Sequence, residues 1–453
     1  MFRCSRRFGK VVSGGAAAPF PSMSGLTITK FDGSHTYNQQ KNIWVLLQEA
    51  MPLLAMPATY VALSLVKCVL HSALPLFVNS WYVTAAMCAG AGRIVAKGKS
   101  NHIVKDLRGK NVVITGASRG IGLHAAIQLS QMGANIHLVA REGAHVEAAM
   151  KAIRTAAKDG GTQTFTFSAV DFADLVAVQA FTSALQSEGR VIDILIHNAA
   201  TLKFENRKAS IGEDEMLVVN LLSPYVITEG LLPLIQKSSA GRIVNVGSSA
   251  HAGVTPDLLQ KYLNEGHHAP GHKHNALEHY GFTKLGLIYH TQQLGARSYN
   301  ADADANNKAT TDKVMDDDNG SGAPTQTPAA AQQSPPTFVA CCANPGGVVT
   351  DIYRDIKYAT AIMHYFYYPF LLLMRTPYEG SQTIVNCCVR DDIVNGGVYM
   401  DCQHMPDSLS PVACNVKERA TMMEWVERKL SAHIKTKGSS TSTTAETQQQ
   451  QNA

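Results

Sequence analysis

The stretch that most limits what this chain can fold into is residues 111–122, NVVITGASRGIG. Val112-Val113-Ile114 is a short β-type run and Thr115-Gly116 a turn; Leu123, Ala126, Ile127 and Leu129 then follow at helical spacing. Three glycines, Gly116, Gly120 and Gly122, punctuate the turn. Without a Cβ the backbone turns tightly and a diphosphate can come close to it. The start of the next helix offers unpaired N–H groups and the positive end of its dipole to an anion. Strand, glycine turn and helix in this order open a doubly wound nucleotide-binding fold. The spacing is G-x-x-x-G-x-G, where G-x-G-x-x-G is commoner. Taken alone, such a loop also serves as a plain strand–helix connection.

The alternation continues. Strand patterns fall at 135–140, 164–170, 191–197, 242–246 and 337–342, and helical patterns near 146–153, 173–188, 213–236 and 276–297. Alternating strands and helices predict a parallel sheet with right-handed crossovers. Residues 298–336 break the rhythm with Asp, Asn, Ala, Thr, Gln and Pro and almost no bulky apolar side chains. Such a segment buries too little surface to offset its ordering entropy, so a disordered insertion is expected there. The Ser/Thr/Gln-rich tail, 436–453, reads the same way.

The net charge of +5 is unevenly spread. Residues 1–110 hold thirteen Lys/Arg against three Asp/Glu, +10; the rest hold 27 against 32, −5. The globular part is mildly acidic, which argues against nucleic acid as a partner. Segment 1–42 has Arg3, Arg6, Arg7 and Lys10 and no acid before Asp32. It suits a mitochondrial transit peptide, or equally a basic tail ahead of a membrane anchor. From Ile43 to Val95 the only charges are Glu49, Lys67 and Arg93. A bilayer core of about 30 Å takes about 20 apolar residues in a helix, so 43–96 has room for one span, or two joined near Lys67. The alternative is an apolar hairpin packed on the main domain. A basic linker, 97–109, follows. The main domain then occupies 110–297 and 337–435, with an apolar, aromatic loop at 351–375, placed where it could cover a ligand. Nine cysteines without a C-x-x-C pair read as reduced, largely core, residues.

Three further pieces carry chemistry. Tyr280 and Lys284 stand four apart on a predicted helix and share a face. A phenol titrates near pH ~10, and a neighbouring ammonium favours its phenolate. Such a tyrosine can give a proton to a carbonyl oxygen or take one from an alcohol. Ser248 lies just past the strand 242–246, at the end where ligands of a doubly wound sheet bind. Asn198-Ala199-Ala200 follows the strand ending at His197, and its small side chains let the chain pass close to a cofactor.

In this order the pieces resemble the short-chain dehydrogenase/reductase family over residues 110–297 and 337–435. The resemblance implies an α/β doubly wound parallel sheet (Rossmann fold) behind an N-terminal apolar membrane-anchor segment. It implies Ser248, Tyr280 and Lys284 as the catalytic triad, with Asn220 of Val219-Asn220-Leu221 completing a tetrad through a water relay. It implies coenzyme contacts from Gly116, Ser118, Arg119, Gly120, Ile121, Gly122, Asn198 and Ala199, from Asp171 at the adenine, and from Tyr280 and Lys284. Pro345, Gly346, Val348 and Thr350 would lie around the nicotinamide. Thr376-Pro377-Tyr378-Glu379-Gly380, residues 397–402 and Glu424-Trp425 are similar to the retinol dehydrogenase subgroup, which often has an N-terminal anchor. Two substitutions depart from the pattern: Ala200 replaces a glycine and Gly247 replaces the first of a serine pair. No catalytic residue is lost.

The coenzyme follows from charge. An NAD site places a carboxylate at the end of the second strand. Here Arg141 stands there and Arg119 sits in the glycine turn, two guanidinium groups suited to the 2′-phosphate of NADP. Glu142 favours NAD, the lesser alternative. The expected activity is hydride transfer between NADP(H) and a lipophilic carbonyl or alcohol: retinoid, steroid or fatty aldehyde, or else a 3-ketoacyl or 17-ketosteroid. The alternative from another class is a non-catalytic NADP-binding scaffold at a membrane. Membrane contact through 43–95 implies the endoplasmic reticulum or the mitochondrion, and a homodimer is compatible with this reading. His267, His268, His272 and His274 cluster before Tyr280, but the family chemistry needs no metal.

Overall fold

The protein is seen in a computed structural model that describes residues 60, 61, 64, 81–266, 275–311, 337–349, 352 and 374–450. Eight strands form one sheet in the order β3-β2-β1-β4-β5-β6-β7-β8. They are β1 Asn111–Thr115, β2 Asn135–Ala140, β3 Phe165–Ala169, β4 Ile194–His197, β5 Arg242–Val246, β6 Val339–Asn344, β7 Val398–Met400 and β8 Gln403–His404. All pairs are parallel except β7–β8. The helices are α1 Trp81–Lys97, α2 Gly120–Gln131, α3 Ala144–Thr155, α4 Leu175–Glu188, α5 Glu215–Ile235, α6 Pro256–Glu265, α7 Ala276–Thr311, α8 Pro377–Val389 and α9 Val416–Gln450.

A parallel sheet is covered on both faces, so its strands are near-continuous apolar runs whose alternate side chains enter different cores. In β1, Ile114 packs with Leu129 of α2, Ile153 of α3 and Ile384 of α8. Its neighbour Val113 packs on the other face with Phe181 of α4, Leu231 of α5 and Leu294 of α7. Outside that layer α9 closes on α7 through Trp425, whose ring meets Phe282 edge-on at 5.9 Å. The strand order reverses between β1 and β4, and a doubly wound sheet opens its ligand crevice at such a point.

The run α7 extends to Thr311, into the expected insertion 298–336, and α9 extends to Gln450, into the expected tail 436–453. Residues 312–336 lie outside the described residues, as do 1–59, 65–80 and, apart from Ile352, 350–373.

The described end of the expected anchor is α1. Its last turns lie on the domain, with Cys88 and Ala96 buried and Arg93 paired with Glu379. Residues 97–109 run along α8 as a strap rather than a spacer. The N–H of Asn101 donates to Gln382 Oε1 (3.0 Å), Asn386 Nδ2 donates to Asn101 Oδ1 (3.0 Å), and Lys105 pairs with Asp391. Among the described residues one helix, Glu215–Ile235, is long and apolar enough to cross a membrane; it is the buried core helix α5.

Candidate active site

The glycine turn packs against the chain that leaves β4. Gly116 has φ +69°, and a Cβ there would stand 2.7 Å from the Cα of Ala199. Asn198 Nδ2 donates to the carbonyls of Thr115 (3.1 Å) and Gly116 (3.0 Å), and Thr115 Oγ1 accepts from the N–H of Asn198 and of Ala199, both at 3.1 Å. A Cβ on Gly122 would collide with Asn198. The residue just before α2 is Arg119, whose side chain makes no cap bond. Those first helical N–H groups are therefore left to another acceptor.

A cleft of about 440 Å3 opens here, at the carboxyl ends of β1 to β4. Gly116, Ser118, Arg119, Gly120 and Ile121 line it, with Arg141, Asp171, Asn198 and Ala199; Gly122, also named from the sequence, packs against Asn198 instead. Among the other lining residues are His145, Thr201, Glu215, Val219 and Ile352, none of them named from the sequence as a coenzyme contact. His145 had a signal, being in the first turn of the helix after β2, and Thr201 follows Asn198-Ala199-Ala200 directly; Glu215 had none, since it arrives from a separate element.

Around Tyr280 the glycines again set the distances. A Cβ on Gly281 would stand 2.5 Å from the carbonyl oxygen of Ala250, so α7 presses directly on the 3-10 turn Ser249–Gly253. Ser248 starts that turn, and its Oγ accepts from the N–H of Ala250 (3.2 Å). Lys284 is 2% exposed and its Nζ donates to the carbonyl of Val246 (2.8 Å), two residues before Ser248. The same Nζ lies 5.5 Å from the centre of the Tyr280 ring. Burial pushes the Lys284 ammonium down to about 8, with Cys342 acting weakly the other way. That thiol is itself pushed up to about 12 by burial. It explains the glycine at 247: a Cβ there would stand 2.6 Å from Cys342 Sγ. Beside Tyr280 and Ile352 lies a small apolar cluster of Leu202, Met216 and Ala276.

Asn220 sits in a π-type turn, Val218–Leu222, within α5. Its side chain clamps Thr201, accepting from the Thr201 N–H (2.8 Å) and donating to its carbonyl (2.9 Å), and also donates to Thr283 Oγ1 (3.1 Å). The amide thus joins the chain after β4 to α7, the helix that carries Tyr280.

Of the remaining expected residues, Pro345 and Val348 are buried behind the surface, and Gly346 is part-exposed with φ +73°. They do not line the cleft between the glycine turn and Ile352. Thr350 and the four clustered histidines lie outside the described residues.

Comparison with known proteins gives a consistent family. A family model for short chain dehydrogenases matches residues 110–258. Human retinol dehydrogenase 11 is 28% identical over 299 residues, spanning 65% of this chain and 78% of that protein. Human retinol dehydrogenase 13 is 31% identical over 191 residues, 42% of this chain and 54% of that protein. Human dehydrogenase/reductase SDR family member 13 is 36% identical over 146 residues, 32% and 37% of the two chains.

Proposed function

The chain belongs to the short-chain dehydrogenase/reductase family, and on that footing we propose an NADP(H)-dependent oxidoreductase of lipophilic carbonyls or alcohols, held at a membrane by 43–95. The observation that carries this reading is the buried Lys284, bonded to the strand end before Ser248 and stacked beside Tyr280.

The cleft fits the coenzyme. Two of its glycines, Gly116 and Gly120, have the left-handed backbone that the turn needs, and α2 begins without a side-chain cap. The diphosphate would lie on Ser118 to Ile121, the adenine by Asp171 and the nicotinamide past Ile352, where β6 ends beside Ser248: Asn344 Nδ2 donates to Ser249 Oγ (3.0 Å), and the turn at 345–348 follows at once, outside the cleft itself. The chemistry the coenzyme supplies when bound is hydride exchange with the substrate carbon. The protein handles the proton and the oxygen. Ser248 Oγ orients the substrate oxygen, and the Tyr280 hydroxyl gives up or takes the proton. Lys284, cationic below about pH 8, favours the phenolate and binds ribose. The Asn220 amide is spent on Thr201 and Thr283, so a water relay at this position would use its backbone carbonyl. Arg119 and Arg141 line the same cleft, which supports NADP over NAD. The apolar cluster beside Tyr280 supports an apolar substrate, in keeping with relatives named for retinol.

The test is coenzyme consumption by the detergent-solubilised protein with apolar aldehydes and ketones. Turnover with NADPH that is lost in Tyr280→Phe is the expected result. Tight NADPH binding with no turnover on any substrate would leave a scaffold, and a preference for NADH would overturn the role given to the two arginines.

A further inference from the structure

Arg375 stands just before α8 and is 8% exposed. Its backbone pairs with the segment after β6: its N–H donates to the Gly347 carbonyl (2.8 Å) and its carbonyl accepts from the Val349 N–H (3.0 Å). Its guanidinium reaches three separate pieces of chain. Nε donates to the carbonyl of Ala96 near the end of α1 (3.3 Å), Nη1 to the carbonyl of Pro345 (2.9 Å), and Nη2 to the buried carboxylate of Asp401 past β7. Two glycine turns close down on it. Gly98 and Gly346 both have left-handed backbone, and a Cβ on either would run into the guanidinium, at 2.6 Å and 2.9 Å from its carbon. A planar fork with five donors can serve three acceptors in three directions; an ammonium on a flexible stem cannot hold that plane. The glycine turn at the other end of the cleft is held by different contacts, those of Asn198 and Thr115.

We propose that Arg375 is a positioning residue for the nicotinamide half of the coenzyme: by tying the turn at 345–348 to the end of α1 and to Asp401, it makes the docked helix and its strap a structural part of the coenzyme site. This rests on the coenzyme reading above. It predicts a split between the two ends of the ligand. The adenine end depends on the glycine turn, whereas the nicotinamide end depends on a turn whose carbonyl, backbone pairing and left-handed glycine all meet Arg375.

The experiment is calorimetric titration of the full chain with NADPH and, separately, with 2′,5′-ADP, which carries the phosphate end but no nicotinamide. Removing Arg375 alone would strand the Asp401 carboxylate, so the main variant is Arg375→Met with Asp401→Leu. Arg375→Lys is the second, keeping the charge and losing the fork. The NADPH Kd is expected to rise on the order of tenfold in the double variant, the loss of about one charge-assisted hydrogen bond's worth of order at the turn. The 2′,5′-ADP Kd should stay within about twofold. Arg375→Lys should show the same split in smaller measure, so the result does not depend on the double variant folding. Equal weakening of both ligands would make Arg375 a general fold residue and overturn the proposal, as would an unchanged NADPH Kd. A wild-type chain that binds 2′,5′-ADP but not NADPH would also overturn it. One that binds neither would sink the coenzyme reading, and the proposal with it.

Discussion

Replacing Lys284 with methionine should abolish turnover and yet make the protein more stable at neutral pH. The ammonium is 2% exposed and its pKa is pushed from 10.5 down to about 8 by burial. At about 1.36 kcal/mol per unit, keeping it charged in the fold costs about 3 kcal/mol below pH 8. Its hydrogen bond to the Val246 carbonyl contributes about 1 kcal/mol in return. Methionine fills similar space with no charge to desolvate. The net gain of Lys284→Met at pH 7 is then about 2 kcal/mol, a rise in Tm of roughly 3–6 °C. The sign with pH is fixed by linkage. Between about pH 8 and 10.5 the unfolded chain keeps the lysine proton and the native chain does not. Native wild type therefore gains stability as pH rises through that window. The advantage of the variant should shrink from pH 8 upwards and reverse just below about pH 10, the lost hydrogen bond dominating above that. Urea unfolding of both proteins in buffers from pH 7 to 10.5 reads this directly. A variant less stable than wild type at pH 7, or a gap that does not move with pH, would refute the argument. A stability gain from deleting a site residue is what a site held against its own desolvation cost implies.

Two other perturbations bear on the interior. Gly247→Ser restores the paired serine but drives its Cβ to 2.6 Å from Cys342 Sγ, so it should cost about 1–3 kcal/mol in thermal or urea unfolding; adding Cys342→Ala should recover most of it, and additive effects would show that the two positions do not meet. His197 and His290 are fully buried and both are pushed down to about 3 by burial, whereas in the unfolded chain they protonate near ~6.5. The unfolded state thus binds more protons between those values, and stability should fall as pH drops through that window; His290→Phe should flatten the fall, and an unchanged acid limb would count against a buried neutral pair.

The sheet was legible because a parallel strand buried on both faces has to be an apolar run, and the runs at 135–140 and 242–246 coincide with β2 and β5 to the residue. The glycine turn was legible because the left-handed backbone at 116 and 120 favours glycine and a Cβ at 116 would meet Ala199. Short pieces were not. β7 is three residues long and β8 two, below the length at which any period shows.

What stayed hidden in the site has one physical character: residues matched across long stretches of chain. Gly247 read as a small departure from a serine pair, yet it is the partner of Cys342, whose sulfur occupies the room a side chain would need. The basic run after Lys97 read as a linker because nothing local distinguishes a solvated lysine from one opposite Asp391, or an asparagine in a loop from one paired with Gln382 and Asn386. Asn220 was found by motif, but not that its amide would be spent on Thr201 and Thr283. A motif gives the chemistry available at a position; it does not give the neighbour that position is shaped for. Ser248, Tyr280 and Lys284 could be read one at a time because each needs only its own functional group at its own place in an element. The contacts that hold them in register depend on pairs, and the second member of each pair carries no mark of its own until the fold brings it near.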